Sequence, residues 1–133
     1  MSDTPSAALP VELDSPFDYE RTVERIISAI KSAGLIVLAQ LDHAGGAKSV
    51  GLAMPPTLVI VYGHPNGGTP IMLAHPRAAL DLPLRVLVRS EASGRTLVSY
   101  HPVAAMLAAS GVQVDMARRL EPAQALIDRA LQA

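Results

Sequence analysis

The sequence predicts one α+β domain of two layers, with a mixed sheet of about five strands in the order β-α-β-β-α-β-β-α. Short strand-like apolar runs alternate with amphipathic helical patterns, and glycine and proline separate them. The length of 133 residues allows one hydrophobic core but not a second. We therefore expect residues 1–133 to form a single domain, with residues 1–6 flexible and residues 112–133 forming a helical segment.

The first strand and the first helix are predicted near the N-terminus. Apolar residues alternate over residues 7–13, and Pro10, which cannot donate a backbone hydrogen bond, places this strand at a sheet edge. Ser15 or Asp18 can cap the helix that follows, and Gly34 suits its C-terminal end. The apolar stripe of this helix has the expected spacing and consists of Val23, Ile26, Ile27 and Ile30.

Two further strands follow the first helix. Residues 35–41 form a β-prone run, so strand, helix and strand make a crossover unit whose two strands can lie parallel in one sheet. Asp42 and His43 close this run. Residues 58–62 are apolar and bounded by prolines and glycines, which is typical of a central strand buried on both faces.

The second half of the chain is predicted to contain a helix, a hairpin and terminal helices. Residues 71–80 fit a helix that Pro76 interrupts, and we expect the strand after it to run parallel to the central strand. Residues 84–90 and 96–100 alternate around a turn at residues 91–94, which predicts a hairpin. The terminal segment is amphipathic, and its inward residues are Met116, Leu120, Leu126, Ile127 and Ala130.

Composition argues against several classes of function. The net charge is -1 and only 3% of residues are aromatic, so the sequence lacks both a basic patch and stacking side chains for nucleic acid. The chain has no cysteine, which removes disulfides, thiolate nucleophiles and Cys-ligated metal sites. Residues 1–10 show no signal-peptide pattern, and no apolar run is long enough to span a membrane. We expect a cytoplasmic protein without nucleic-acid or membrane partners.

The segment after the central strand is the candidate ligand site, because ligands in open α/β sheets bind where loops leave strand ends. Its candidate residues are Gly63, His64, Pro65, Gly67, Gly68 and Thr69. The glycine spacing matches a nucleotide-binding P-loop, but Thr69 and Pro70 replace the Lys and Ser/Thr of that motif. A nucleotide triphosphatase is therefore disfavoured, and an ordinary turn is the alternative to a ligand site.

The geometry of this segment separates the two interpretations. A helix that begins near Thr69, with Pro70 at its first position, could hold an anion on its N–H groups. A ligand-binding loop should border a cavity, and at least one of Gly63, Gly67 and Gly68 should have φ > 0.

Histidines at strand ends form a second candidate site. His43 closes residues 35–41, whereas His64, His75 and His101 each precede a proline, which favours extended backbone. The predicted strand directions place His43 and His101 at one sheet edge with His75 nearby, and His64 at the other. Such a cluster can bind a metal or transfer protons, and the alternative is that these are ordinary turn residues.

Asp42 and Tyr100 belong to the same candidate site. With His43 they can form a proton relay or, alternatively, a hydrogen-bonded connection between strand ends. No His-x-x-x-His or His-Glu-x-x-His spacing supports a metal. We assign no catalytic role, retain Asp42, His43, Tyr100 and His101 as candidates, and expect no metal or other cofactor.

Several motifs occur in order over roughly residues 17–111. They are Leu41-Asp42-His43, Ala47 with Gly51, Gly63-x-Pro65 with Gly68-Thr69-Pro70, Asp81-Leu82-Pro83-Leu84, and Tyr100. Together they resemble the widespread prokaryotic family known as domain of unknown function 302. The resemblance implies a small domain with a curved sheet covered by helices on one side, and a homodimer. It implies no activity, and relatives often have Asn at the position of His64, which argues against an indispensable catalytic role there.

Two functions remain open at this point. The first is a non-enzymatic module that binds a small molecule or a partner through residues 63–70. The second is an enzyme or metal-dependent protein using Asp42, His43 and His101, which must then lie within hydrogen-bond or ligand distance. We also expect a homodimer, because a mean hydropathy of +0.30 with 17% charged residues leaves apolar surface for a second copy to cover.

Overall fold

The computed structural model describes residues 9–133, whose strands form one antiparallel sheet. The strands are β1 (Val11–Ser15), β2 (Ile36–Asp42), β3 (Thr57–Gly63), β4 (Leu84–Ser90) and β5 (Thr96–Tyr100). Their order across the sheet is β1-β5-β4-β3-β2, and each neighbouring pair is antiparallel. Within the described residues, β1 and β2 are therefore the two edges of the sheet.

Helices connect these strands. They are α1 (Tyr19–Ser32), α2 (His43–Ser49), α3 (Pro65–Ala74), α4 (Val103–Ala108), α5 (Val114–Ala117) and α6 (Glu121–Ala130), with 3-10 helices at Pro76–Leu80 and Arg118–Leu120. The predicted α+β class and the order of strands and main helices are confirmed, with α2 as an additional short helix between β2 and β3. No helix within residues 9–133 has the length and apolar character needed to cross a bilayer.

The core lies between the helices and one face of the sheet. Leu58, Ile60 and Tyr62 of β3 are buried and lie opposite Val88, Val86 and Leu84 of β4. These side chains form one apolar cluster with helical residues that include Ile26, Ile30, Ile71, Leu107 and Ile127. Val59 and Val61, on the other face of β3, are only partly buried. The prediction that the central strand is buried on both faces is therefore wrong, because the helical layer covers only one of them.

The direction of β4 differs from the prediction. The sheet is not mixed, and β4 runs antiparallel to β3 with Tyr62 opposite Leu84. The connection through α3 therefore begins and ends at the same end of the sheet: β3 ends there and β4 begins there. β1 and β2 do point in the same direction, as expected for the first crossover unit, but they lie at opposite edges of the sheet.

Local signals at the first helix are confirmed. The Asp18 carboxylate accepts a hydrogen bond from the Arg21 N–H at 2.8 Å and caps α1, while the Ser15 hydroxyl lies 2.6 Å from the Thr22 hydroxyl. Gly34 ends the helix with φ of 78°, a left-handed conformation that glycine adopts without steric cost. The predicted flexible segment 1–6 and the first residues of the predicted edge strand lie outside the described residues.

Candidate functional site

A cavity of about 780 Å³ lies at the end of the sheet where β3 ends and β2 and β4 begin. Its apolar wall combines segments that are distant in sequence, and includes Leu35, Ile36, Leu38, Met72, Leu82, Leu84, Leu120, Ala123 and Leu126. Its polar lining residues are His64, Asn66, Thr69, Arg119 and Arg129. All six residues of the predicted ligand site line this cavity: Gly63, His64, Pro65, Gly67, Gly68 and Thr69.

These residues do not form the predicted loop, because α3 begins at Pro65 rather than near Thr69. Pro65 occupies the first helical position, where its missing N–H and fixed φ are tolerated, and Pro70 lies inside the helix. His64 is the N-cap, and its Nδ1 accepts a hydrogen bond from the Asn66 N–H at 3.0 Å. The segment therefore ends a strand and begins a helix with no loop between them.

The predicted anion site is not formed at this helix start. The N–H groups of Gly67 and Gly68 both donate to the His64 carbonyl oxygen, at 3.0 and 3.2 Å. Together with the bond from Asn66 to the His64 ring, these contacts already use the first-turn donors. An anion in the cavity must therefore be recognised by side chains.

The glycines of this segment differ in backbone conformation. Gly63 has φ of 159°, which confirms the expectation that at least one of the three glycines has φ > 0, whereas neither Gly67 nor Gly68 has positive φ. A methyl group on Gly67 would lie 3.1 Å from Cδ2 of Leu120, so this glycine allows the C-terminal segment to pack closely on α3. A methyl group on Gly68 would meet Met72 at an ordinary 3.6 Å. Positive φ among these three glycines is therefore confined to Gly63.

The structure separates the histidines that were predicted to cluster. His43 follows the end of β2, beside the start of β3, where Asp42 lies opposite Leu58. His101 follows the end of β5 at the opposite end of the sheet, because β2 and β5 run in opposite directions. His64 lies at the same end of the sheet as His101, and His43 lies at the other end. The predicted cluster depended on a parallel β4 and is wrong, and residues 9–133 contain no group of three or more His, Asp or Glu side chains arranged to hold a metal.

Asp42 and Tyr100 likewise serve separate local structures. The Asp42 carboxylate accepts a hydrogen bond from the Gly45 N–H at 2.9 Å and caps α2. The Tyr100 hydroxyl donates to Asp128 at 2.9 Å, and burial together with this carboxylate raises the pKa of Tyr100 to about 12. Tyr100 is therefore protonated at neutral pH and connects β5 to α6. A proton relay between Asp42 and Tyr100 is not formed.

A second cavity, of about 920 Å³, lies at the other end of β2. It is bordered by α1, the end of β2 and the connection that leads to β3. Its charged lining residues are Glu20, Glu24, Asp42 and Lys48. Burial, with a smaller contribution from the charge of Asp42, raises the pKa of Tyr19 on its wall. The two cavities thus differ in charge: the first has two arginines, and the second has three carboxylates and one lysine.

Sequence reasoning missed the residues that the C-terminal segment contributes to the first cavity. Arg119, Leu120, Leu126 and Arg129 line the site because the C-terminal segment packs beside α3, with Leu120 close to Gly67. Their signal in the sequence was an amphipathic helical pattern, which predicts burial but not the partner against which a helix packs.

Comparisons with known proteins support the fold. The sequence model of the family described as "Domain of unknown function DUF302" matches residues 11–133. A crystal structure of an uncharacterized conserved DUF302 protein from Bacillus stearothermophilus is similar with a TM-score of 0.80 at 17% identity. The similarity covers 94% of this chain and 97% of that one, and shows a shared fold.

Two curated relatives match this chain over part of their length. "Fluoride-specific ion channel FluC 1" of Brucella suis biovar 1 (strain 1330) is 39% identical over 85 residues, which is 64% of this chain and 34% of that protein. "Fluoride-specific ion channel FluC 1" of Brucella abortus biovar 1 (strain 9-941) has the same identity over 85 residues and is covered to 32%. The matched part therefore spans about a third of the length of these relatives.

Proposed function

We propose that this chain, which belongs to the family of domain of unknown function DUF302, is a non-enzymatic module that binds a small molecule with an apolar body and an anionic group. The observation that carries this proposal is the 780 Å³ cavity, whose walls are mainly apolar and whose charged lining side chains, within the described residues, are Arg119 and Arg129. Concave, largely apolar sites with a few polar groups are the usual form of small-molecule sites.

The shape and lining of the cavity suit an amphipathic ligand. Its volume lies within the ~300–1,000 Å³ range of ligand pockets, so most of an apolar ligand of moderate size would leave water on binding. Both arginines are exposed, which places an anionic group near the mouth while the apolar body contacts Leu35, Met72 and Leu126. Guanidinium groups bind carboxylates in a bidentate geometry, which favours a carboxylate over an ammonium at this position.

The lining also favours binding over catalysis. His64 is the lining residue with an imidazole, the usual side chain for proton transfer, and its Nδ1 is occupied as the acceptor that caps α3. Asp42, His43, Tyr100 and His101 do not line this cavity. The alternative of an enzyme or metal-dependent protein built on Asp42, His43 and His101 therefore lacks the shared pocket that it requires.

Thermal unfolding with matched probes tests the proposal. Decanoate, decanol and decylammonium share one apolar chain and differ in charge, and sodium fluoride against sodium chloride tests the ion for which the Brucella relatives are named. We expect decanoate to raise the melting temperature most and decylammonium least. A ligand at about 100 times its Kd stabilises by about 2.7 kcal/mol if it binds only the folded state.

Two glycine variants provide the control. The side chain of Gly68→Leu would extend from a position bordered by Met72 and Leu82, both on the cavity wall, and should abolish the shift. Gly46→Leu adds the same side chain to α2, where nothing lies within 4 Å, and should keep it. A decanoate shift that survives Gly68→Leu, or no shift with any of the three probes, contradicts the proposal.

A further inference from the structure

β2 is an apolar edge strand. Within the described residues it has a neighbour on one side only, and Ile36, Leu38 and Leu41 are 43%, 51% and 46% exposed. An edge strand presents a row of unpaired N–H and C=O groups, which can pair with another strand. The apolar surface continues into the connection to β3, where Val50, Leu52 and Met54 are also exposed.

This edge has little of the protection that monomeric proteins use. Edge strands are usually blocked by charged side chains, proline, a β-bulge or a covering segment. In β2 the sole charged residue is Asp42, at its last position. Its pairing with β3 shifts register between Val37 and Ala39, so this irregularity protects the start of the strand and leaves residues 39–42 as its regular, open part.

We propose that a second copy of this chain pairs with β2 in the antiparallel direction, about a two-fold axis within residues 39–42. Each N–H and C=O group on the outer side of this segment then finds a partner, and the apolar side chains of the edge are covered. A two-fold interface of this kind is closed, because the same strand is used by both copies. The two five-stranded sheets become one continuous sheet.

The charges of the two cavities favour the antiparallel direction. Ile36 and Leu38 line the first cavity, whose charged lining residues are arginines, whereas Gln40 and Asp42 line the second cavity, which has three carboxylates. Antiparallel pairing places the arginine-lined cavity of each copy beside the carboxylate-lined cavity of its partner. The two-fold axis makes this favourable contact occur twice. Parallel pairing would place like charges together, which is unfavourable.

The dimer also completes the first cavity. Because β2 forms part of its wall, the partner's Asp42 end would lie beside Leu38 and narrow the opening on that side. The pairing itself rests on the edge and on the charges, and is independent of whether the cavity binds the proposed ligand.

Light scattering tests this inference. At about 0.1 mM, well above a Kd of about 1 μM, we expect the unmodified chain to show twice its 14.0 kDa mass. Leu41→Lys places an ammonium on the edge, as natural edge strands do, and should return the mass to 14.0 kDa. Leu80→Lys is the control, since Leu80 is 85% exposed and lies outside β2, and it should leave the dimer intact.

Cysteine cross-linking gives a second readout that does not depend on the folding of Leu41→Lys. The chain has no cysteine, so a protein–protein disulfide from a single introduced thiol must join it to the same residue of a second copy. Opposed Cα atoms in antiparallel strands are about 4.5–5.5 Å apart, within the range of a disulfide. Single changes Ala39→Cys, Gln40→Cys and Leu41→Cys should include at least one that cross-links rapidly on mild oxidation, whereas Glu12→Cys on β1 should not.

Two results overturn the inference. One is a mass of 14.0 kDa for the unmodified chain at this concentration. The other is a dimer that persists in Leu41→Lys while no thiol at residues 39–41 cross-links, because pairing would then use another surface. A decanoate shift in the monomeric Leu41→Lys variant would support the ligand proposal separately, so the two proposals can fail independently.

Discussion

The two edges of the sheet are built from opposite kinds of residues. On β1, Glu12 and Asp14 lie on the face of the sheet away from the core, where Glu12 pairs with Arg89 of β4 at 3.4 Å and Asp14 pairs with Arg95, which precedes β5. The Ser99 hydroxyl also donates to Glu12 at 3.2 Å. On β2 the exposed residues are mainly apolar. The β1 edge is thus blocked by charge, and the β2 edge is open to a partner. A second strand can be added at β2 with less burial of carboxylates than at β1.

The same contrast extends to the connections between sheet and helices. Beside β1, the buried Gln124 side chain bridges two backbone groups, donating to the His101 carbonyl at 2.7 Å and accepting from the Val103 N–H at 2.9 Å. Tyr100 connects β5 to α6 through Asp128. In β2, the side-chain hydrogen bond found within residues 9–133 is the local one that the Asp42 carboxylate accepts from the Gly45 N–H. The β1 side is therefore held by long-range contacts, and β2 depends mainly on its pairing with β3.

The largest expected effect comes from removing the charge at β1. Glu12→Val combined with Asp14→Val would give the sheet two apolar edges, and a chain with two pairing edges can grow without closing. We expect masses well above twice 14.0 kDa and rising scattering with time. Asp115→Val, which removes an exposed carboxylate from α5, is the control and should not change the mass. An unchanged mass in the double variant would show that charge is not what blocks this edge.

Two glutamines sharpen the comparison of stability. Gln124→Ala leaves the His101 carbonyl and the buried Val103 N–H without a partner, and should lower the free energy of unfolding by about 2–3 kcal/mol. Gln40→Ala on β2 changes an exposed side chain and should cost less than about 0.5 kcal/mol. Urea unfolding at one protein concentration measures both. Similar costs for the two variants would contradict the asymmetry between the edges.

Alkaline pH should lower the free energy of unfolding through Tyr100, which lies on β5 beside β1. Its pKa is raised from 10.0 to about 12, so above pH 10 the unfolded chain loses this proton while the folded chain retains it. The free energy of unfolding should therefore be unaffected by this group below pH 10 and fall between pH 10 and 12. Tyr100→Phe should cost about 1 kcal/mol at neutral pH, because it loses one hydrogen bond to a carboxylate that is partly in water.

The same variant checks the origin of the pH dependence. Urea unfolding at pH 9 and pH 11 should show a smaller loss in Tyr100→Phe than in the unmodified chain. Some loss should remain, because burial also raises the pKa of Tyr62. Equal losses in the two proteins would assign the effect to other groups.

The smallest expected effect concerns a single ion pair on β1. Glu12→Gln removes the charge opposite Arg89 but keeps a similar shape, and exposed pairs of this kind contribute about 0.2–1 kcal/mol. The loss of stability should be measurable at low ionic strength and vanish in about 1 M sodium chloride, where charges are screened within about 3 Å. A loss that is independent of salt would point to the hydrogen bond from Ser99 instead.

Much of the fold followed from local patterns. Asp18 and Gly34 marked the ends of α1, Pro10 indicated an edge strand, and the alternation around residues 91–94 predicted the β4–β5 hairpin. These signals depend on contacts within a few residues, so the sequence contains all the information they need. Six residues that line the candidate cavity were also named from the sequence, because a glycine- and proline-rich strand end is a local feature.

The start of α3 shows where local signals become ambiguous. Pro65 and Pro70 both suit a first helical position, and the sequence interpretation chose the second. In the structure, α3 starts at Pro65, and Gly67 in its first turn lies against Leu120 of the C-terminal segment. This contact joins residues that are distant in sequence, so sequence spacing alone does not predict it.

By itself, the sequence determined the type of nearly every element, the charged character of β1 and the apolar character of β2, because these depend on neighbouring residues and their side chains. Only the tertiary structure decided that β4 runs antiparallel to β3, which separates His43 from His101, and that Arg119 and Arg129 reach the wall beside His64. Strand direction depends on where a connection returns to the sheet. A cavity depends on which distant segments pack together, and both are set by the burial of one shared core rather than by any local pattern.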